Sequence, residues 1–266
     1  VPGVVVDGIE KEIPGLVCRH WKEVPSYALK AVEDYRARRT KWVRAIVLHT
    51  TLGKPDVKQI EPGQGPHTRA AQRIGKWWSK DGRRAGCHLM CDLDGSWANM
   101  ADLATATTFH AGAVNDNTIG IEIYQDGEDG VLFDQQLQSV VLMCDYLTRV
   151  FGIQRQVHFP FVGPIQRLRN GGDDCVGIYG HRDVTSTRSR GDPGDAVFER
   201  LVEGGYEPWD YDAEEDLSAW KLRQHHLNEM FDAKLVVDGV AGPGTVSALR
   251  VLTGRPYGLH VTRPGD

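Results

Sequence analysis

Three residues stand where their side chains could hold a hydrolytic metal ion. His49 closes the apolar run RAIVLH at 44–49, His181 follows the run CVGIYG at 175–180, and Asp192 precedes Pro193 and Gly194 in the loop beyond. Two neutral imidazoles and one carboxylate suit a catalytic zinc site, which needs about three protein ligands and an open position so that water becomes acidic at a pKa of roughly 7. That donor set leaves a net charge of about +1 on the site, which can polarise a carbonyl. Taken singly, each of the ten histidines reads more readily as a hydrogen-bonded core or surface residue than as a ligand, so spacing alone does not select these two.

Both histidines end predicted strands, where side chains can converge at one edge of a sheet. The run at 44–49 is apolar and β-branched, as expected of a strand covered on both faces. A second strand, CHLMCD at 87–92, is closed by Asp94-Gly95, a strong hairpin signal. A third is expected from Thr118 to Tyr124 and a fourth at 175–180. Between these last two, Leu137, Val140, Val141, Cys144, Leu147 and Phe151 recur at helical spacing, which predicts an amphipathic helix with a core-facing stripe. Residues 25–39, PSYALKAVEDYRARR, read as a further helix with an early Pro and a basic end. Alternating strands and helices predict an α/β domain with a mixed central sheet flanked by helices.

The chain of 266 residues has room for a second, smaller unit. Residues 207–216 turn acidic and lose apolar periodicity, which makes them the expected linker between a domain at 1–206 and a small all-α unit at 217–266. With 41% apolar and 25% charged residues the composition is that of an ordinary globular protein, and no run is long and apolar enough to cross a membrane. The first residues, VPGVVVDGIEKE, lack the basic and apolar regions of a secretory leader. A net charge of −5 argues against nucleic acid as a partner. Five cysteines without a CxxC pair suit a reducing compartment and read as small buried side chains.

The run GHRDVTSTRSRGDPG at 180–194 resembles the Gly-His-x-Asp…Arg-Lys-x-Asp-Pro-Gly pattern of the zinc-dependent N-acetylmuramoyl-L-alanine amidases, a family that includes phage lysins and animal peptidoglycan-recognition proteins. Four more landmarks occur in the family's order: IVLHTT at 46–51, HLMCDLDGS at 88–96, HAG at 110–112 and NDNTIGIE at 115–122. The resemblance implies that His49, His181 and Asp192 bind one Zn2+ and that Glu122 is the general base. It places Arg190 where the family has the Lys that steadies the oxyanion. Arg keeps the charge but offers a planar fork instead of a compact ammonium, and the slightly longer loop makes Arg188 the substitute candidate, as a contact to substrate. His110 resembles the family histidine beside the site that contacts substrate, with a structural hydrogen bond under the loop as the other reading. His88 reads as structural, and Asp183 as holding the loop or orienting His181.

The tail, LRQHHLN at 222–228 and DGVAGPGTVSAL at 238–249, resembles a three-helix peptidoglycan-binding module. Joining such a unit to a hydrolase raises its effective concentration on an insoluble polymer. The expected function is hydrolysis of the amide between N-acetylmuramic acid and L-alanine in bacterial peptidoglycan, by an endolysin made in the host bacterial cytoplasm and released to the wall. The alternatives are a non-catalytic peptidoglycan-recognition protein using the same cleft and a wall-recycling amidase. A glycosidase ranks behind them, because no carboxylate pair stands out.

Overall fold

A computed structural model describes residues 3–27, 29, 35–37, 43–53, 78, 85–126, 132–159, 161, 176–185 and 192–209, with positions 224, 227, 228, 234–237 and 248 in the tail. The expected small all-α unit at 217–266, Arg188, Arg190 and Cys175 lie outside the described residues or among those few positions.

The centre of the domain is a pair of nine-residue strands, β5 (Ala45–Gly53) and β9 (Thr118–Asp126), parallel and in register from Ala45 opposite Thr118 to Gly53 opposite Asp126. Side chains alternate between the faces of a strand, and here each face has its own cover. Ile46, Leu48, Ile119, Ile121 and Ile123 share one core with Val140, Val141, Met143, Cys144 and Leu147 of α1 (Asp134–Phe151). Ala45 and Val47 pack on the other face with Ala111, Val114, Tyr179 and Val184. The 18-residue α1 buries the stripe expected from sequence, with Leu137 and Phe151 packed at its margin. Coverage of both faces is why these strands read as continuous apolar runs.

Among the described residues the remaining strands are β1 (Val4–Val6), β2 (Ile9–Lys11), β3 (Cys18–His20), β4 (Tyr35–Ala37), β6 (Leu89–Cys91), β7 (Trp97–Asn99), β8 (Ala106–Thr108), β10 (Gln156–Val157), β11 (Gly177–Gly180) and β12 (Glu207–Pro208). The main sheet has the order β12-β10-β11-β5-β9-β6-β7-β3, and its first six strands are parallel. The last two run the other way, because β6 and β7 form the antiparallel hairpin that Asp94-Gly95 signals. Gly95 has φ 78°, and a Cβ there would lie 2.9 Å from the Gln135 carbonyl oxygen, so only glycine suits the turn. Trp97 Nε1 donates to Ser139 Oγ at 2.6 Å and Ser139 Oγ donates to the Gly95 carbonyl at 2.5 Å, which ties α1 to this hairpin.

Residues 3–20 belong to the same domain. β3 covers the β7 edge of the sheet, Val5 N–H donates to Asn99 Oδ1 at 2.8 Å, and the Asp102 carboxylate accepts from the Asp7 and Gly8 N–H groups.

Two stretches differ from the sequence expectation. The helix expected at 25–39 is replaced, in its described part, by a 3-10 turn at Pro25–Tyr27 and by β4, which pairs antiparallel with β8. Local propensity favoured a helix there, but pairing with Ala106–Thr108 satisfies the backbone in another way. Glu207 and Pro208, at the start of the acidic segment, pair as β12 beside β10, and Trp209 N–H donates to the Val157 carbonyl at 2.8 Å. Trp209 also stacks on His158 with ring centroids 4.4 Å apart.

Candidate metal centre

Strand register brings the chemistry to one line. His49 pairs with Glu122 across β5 and β9, and Gly180 at the end of β11 pairs with Leu48, so His181 follows one step beyond, level with His49. All three therefore reach the same carboxyl edge of the parallel strands, where open α/β sheets place their ligands. Asp192 arrives from the loop before α3 (Asp195–Glu203), across a cis Asp192–Pro193 peptide. Its carbonyl accepts from Arg182 N–H at 3.0 Å, and its Oδ1 accepts from Thr50 N–H at 2.9 Å. That second bond turns Oδ2 towards the histidines.

The donor atoms then converge. His49 Nδ1 lies 2.9 Å from His181 Nδ1, His181 Nδ1 lies 3.2 Å from Asp192 Oδ2, and one donor atom from each of the three residues falls within 4.8 Å of the others. Ligands about 2.05 Å from a tetrahedral zinc ion stand about 3.3 Å apart, so this spacing fits a metal of that size. The residues are 2%, 5% and 8% exposed, and a buried carboxylate beside two imidazoles is a set that a cation would complete.

His181 is the first residue of the short helix α2 (His181–Val184). Asp183 fixes that turn: its Oδ2 accepts from the buried Gly180 N–H at 2.6 Å. Burial pushes the Asp183 carboxyl up to about 7, against the lowering influence of the Arg182 guanidinium and of the Gly180 N–H. Of the two sequence readings for Asp183, this bond belongs to the one that holds the loop. Arg182 is wholly buried, paired with Asp195 at 2.7 Å and stacked on Phe161 and Phe198, so it fastens α2 to α3 and with them the strands' last turn. Asp183→Ala should lower unfolding free energy by about 1–3 kcal/mol, since it leaves a buried N–H without its acceptor. Urea titration in the presence of chelator, which keeps metal out of the comparison, measures this; an unchanged midpoint would deny Asp183 that role.

Glu122 is half-buried, and its Oε2 accepts from Thr51 Oγ1 at 2.7 Å. Thr51 is on the same face of β5 as His49, two residues on. His110 sits behind the donor cluster: its Nδ1 lies 3.1 Å from His49 Nε2 and its Nε2 lies 3.1 Å from Thr118 Oγ1. Its loop is pinned by Asn115, whose Oδ1 accepts from the His110 and Ala111 N–H groups at 3.2 and 2.6 Å. His88 is structural, as expected. Its Nδ1 accepts from Gly120 N–H at 3.0 Å, so the proton is on Nε2, which donates to the Ala106 carbonyl at 3.0 Å.

The residues sequence reasoning passed over are Thr51, Thr118, Asn115 and Gly120. A signal existed for Gly120, a glycine between Ile119 and Ile121 in a strand, which marks a close approach. A Cβ at Gly120 would lie 2.4 Å from His110 Cγ. The described cysteines, Cys18, Cys87, Cys91 and Cys144, are all buried and unpaired in disulfides. Burial pushes the Cys87 and Cys91 thiols well above their ordinary value, so they are inert packing groups.

Among solved structures, the chain is similar to an endolysin amidase, LysCS, from Clostridium intestinale URNW, with 15% identity, a TM-score of 0.42, and 72% of this chain and 97% of that chain covered. It is similar to the Drosophila peptidoglycan recognition protein SD, with 15% identity, a TM-score of 0.48, and 72% and 96% covered. It is also similar to the Ph2119 endolysin from the Thermus scotoductus MAT2119 bacteriophage Ph2119, with 17% identity, a TM-score of 0.39, and 65% and 90% covered. No curated protein matches by sequence. The sequence model of the family described as N-acetylmuramoyl-L-alanine amidase matches residues 38–195, more than half of the chain and a span that contains His49, His110, Glu122, His181 and Asp192. The chain belongs to the N-acetylmuramoyl-L-alanine amidase family.

Proposed function

We propose that this protein is a zinc-dependent hydrolase of the amide that joins the lactyl group of N-acetylmuramic acid to L-alanine in peptidoglycan. The observation that carries the reading is the convergence of the His49, His181 and Asp192 donor atoms beside a glutamate in register with His49. His49 Nδ1, His181 Nδ1 and Asp192 Oδ2 would hold the ion. When bound, zinc supplies a Lewis acid that polarises a carbonyl and makes water acidic near neutral pH.

The remaining chemistry belongs to the chain. Glu122 accepts the proton of the attacking water and returns it to the alanine nitrogen as the C–N bond breaks, leaving a lactyl carboxylate and a free α-amino group. Thr51 Oγ1 donates to Oε2 and so holds the carboxylate in place. Arg190, with Arg188 as its substitute, is the cation assigned from sequence to the oxyanion. The lytic setting, an endolysin made in the host cytoplasm and released to the wall, is supported by the resemblance of 222–249 to a wall-binding module.

Digestion of purified sacculi should release new alanine α-amino groups and no new reducing sugars. Excess chelator should abolish the release and added Zn2+ restore it. Reducing ends without new amino groups would overturn the amidase reading. For the lytic setting, cleavage of intact sacculi is expected; exclusive use of soluble muropeptides would instead indicate wall recycling.

A further inference from the structure

We infer that His110 is a positioning residue that fixes the tautomer of His49 and thereby selects Nδ1 as its metal-binding atom. The inference rests on the metal-site reading above and deepens it.

The direction is set at the far end of a buried chain of hydrogen bonds. Thr118 Oγ1 donates to the Val114 carbonyl at 2.8 Å, and a carbonyl can only accept. The hydroxyl's single proton is spent there, so towards His110 Nε2, 3.1 Å away, Thr118 accepts and His110 donates. A neutral imidazole that donates from Nε2 has its lone pair on Nδ1. That lone pair faces His49 Nε2 at 3.1 Å, so His49 Nε2 carries the proton. The lone pair of His49 is then on Nδ1, the atom 2.9 Å from His181 Nδ1. One carbonyl thus sets the direction of every bond up to the donor cluster.

The fold is built around this ring. His110 is 9% exposed, its rings meet those of His49 edge to face with centroids 5.2 Å apart, and Asn115 holds its backbone. Its ring covers Gly120, where any side chain would strike Cγ. With its nitrogens turned to His49 and Thr118, His110 makes structural hydrogen bonds of the kind that one of its two sequence readings anticipates. Ligand histidines generally give their second ring N–H to an acceptor that orients them, and removing that acceptor weakens metal binding by about 10–100-fold. Here the acceptor is another histidine.

Zinc affinity of the full chain, measured by competition with a chelator at fixed pH, tests this. His110→Ala should bind zinc about 10–100-fold more weakly. His110→Asn, whose Oδ1 keeps an acceptor near the position of Nδ1, should recover most of that loss. In the zinc-loaded parent, 15N-histidine NMR should show His49 protonated at Nε2. Should His110→Ala fail to fold, Thr118→Val decides, because it is isosteric and touches no ligand; it should weaken zinc by about 3–10-fold through the freed orientation of His110. Parent-like affinity in these variants, or a His49 proton on Nδ1 in the loaded parent, overturns the inference. A parent chain that binds no zinc, or a His49→Ala variant that binds it as tightly, would instead overturn the metal site itself.

Discussion

Glu122→Gln should cut turnover on peptidoglycan by about 10²–10⁴-fold, the usual contribution of a positioned general base, while zinc stays at one ion per chain. The substitution is chosen for what it keeps. Gln has the length of Glu and an amide oxygen that can still accept from Thr51 Oγ1, now 2.7 Å from Oε2. The register of His49 with Glu122 is held by the β5–β9 ladder, which does not involve the carboxylate. Only the ability to take a proton is lost, so kcat should fall and KM should hardly move. Steady-state kinetics on a soluble muropeptide, with metal analysis of the same samples, separates the two quantities. An unchanged kcat would remove Glu122 from the mechanism; a fall in zinc content would make it a structural partner of the metal site.

How far the sequence revealed this site depends on what held each residue. His49 and Glu122 lie in long strands whose apolar runs are visible because both faces are buried, and the period of two then puts them on the face opposite Ile46, Leu48 and Ile121. His181 was legible for a similar reason, as the residue after β11. Asp192 was not legible from periodicity. Its place depends on two bonds that it accepts, at Oδ1 from Thr50 N–H and at its carbonyl from Arg182 N–H, which have no local pattern. The motif match pointed to it where elementary pattern could not.

The same distinction explains what sequence reading lost. β4 and β12 are strands of three and two residues whose existence depends on distant partners, β8 and β10, so residues 25–39 read as helical and Glu207 as linker. The chain from His49 through His110 to Thr118 and Val114 joins residues whose separate types are ordinary. Only the fold sets them in series. Hydrogen-bond direction is a property of that arrangement and is invisible in spacing. The α/β fold and its donor triad thus follow from local burial patterns and motif order, whereas the details that orient the donors come from tertiary contacts.

His181→Ala should abolish hydrolysis and weaken zinc binding by roughly 10³-fold, because one of three ligands carries about a third of a binding free energy of roughly 10–16 kcal/mol. His181 is the middle donor, 2.9 Å from His49 Nδ1 and 3.2 Å from Asp192 Oδ2, so its loss separates the other two. The consequence should also appear in stability, which activity assays cannot mimic. A ligand that binds only the folded state at about 1,000 times its Kd adds about 4 kcal/mol, which for a domain of this size raises Tm by roughly 8–16 °C. The parent should therefore melt markedly higher with zinc than with chelator, whereas for His181→Ala the two temperatures should differ by no more than about 2 °C. Its turn stays anchored by Asp183 on the Gly180 N–H and by Arg182 against Asp195, so the metal-free variant should fold like the metal-free parent. Scanning calorimetry of the two proteins in zinc and in chelator measures all four temperatures. A zinc-dependent rise that persists in His181→Ala would mean that the stabilising ion sits elsewhere, and the donor cluster at the ends of β5 and β11 would then have to be given up as the catalytic metal site.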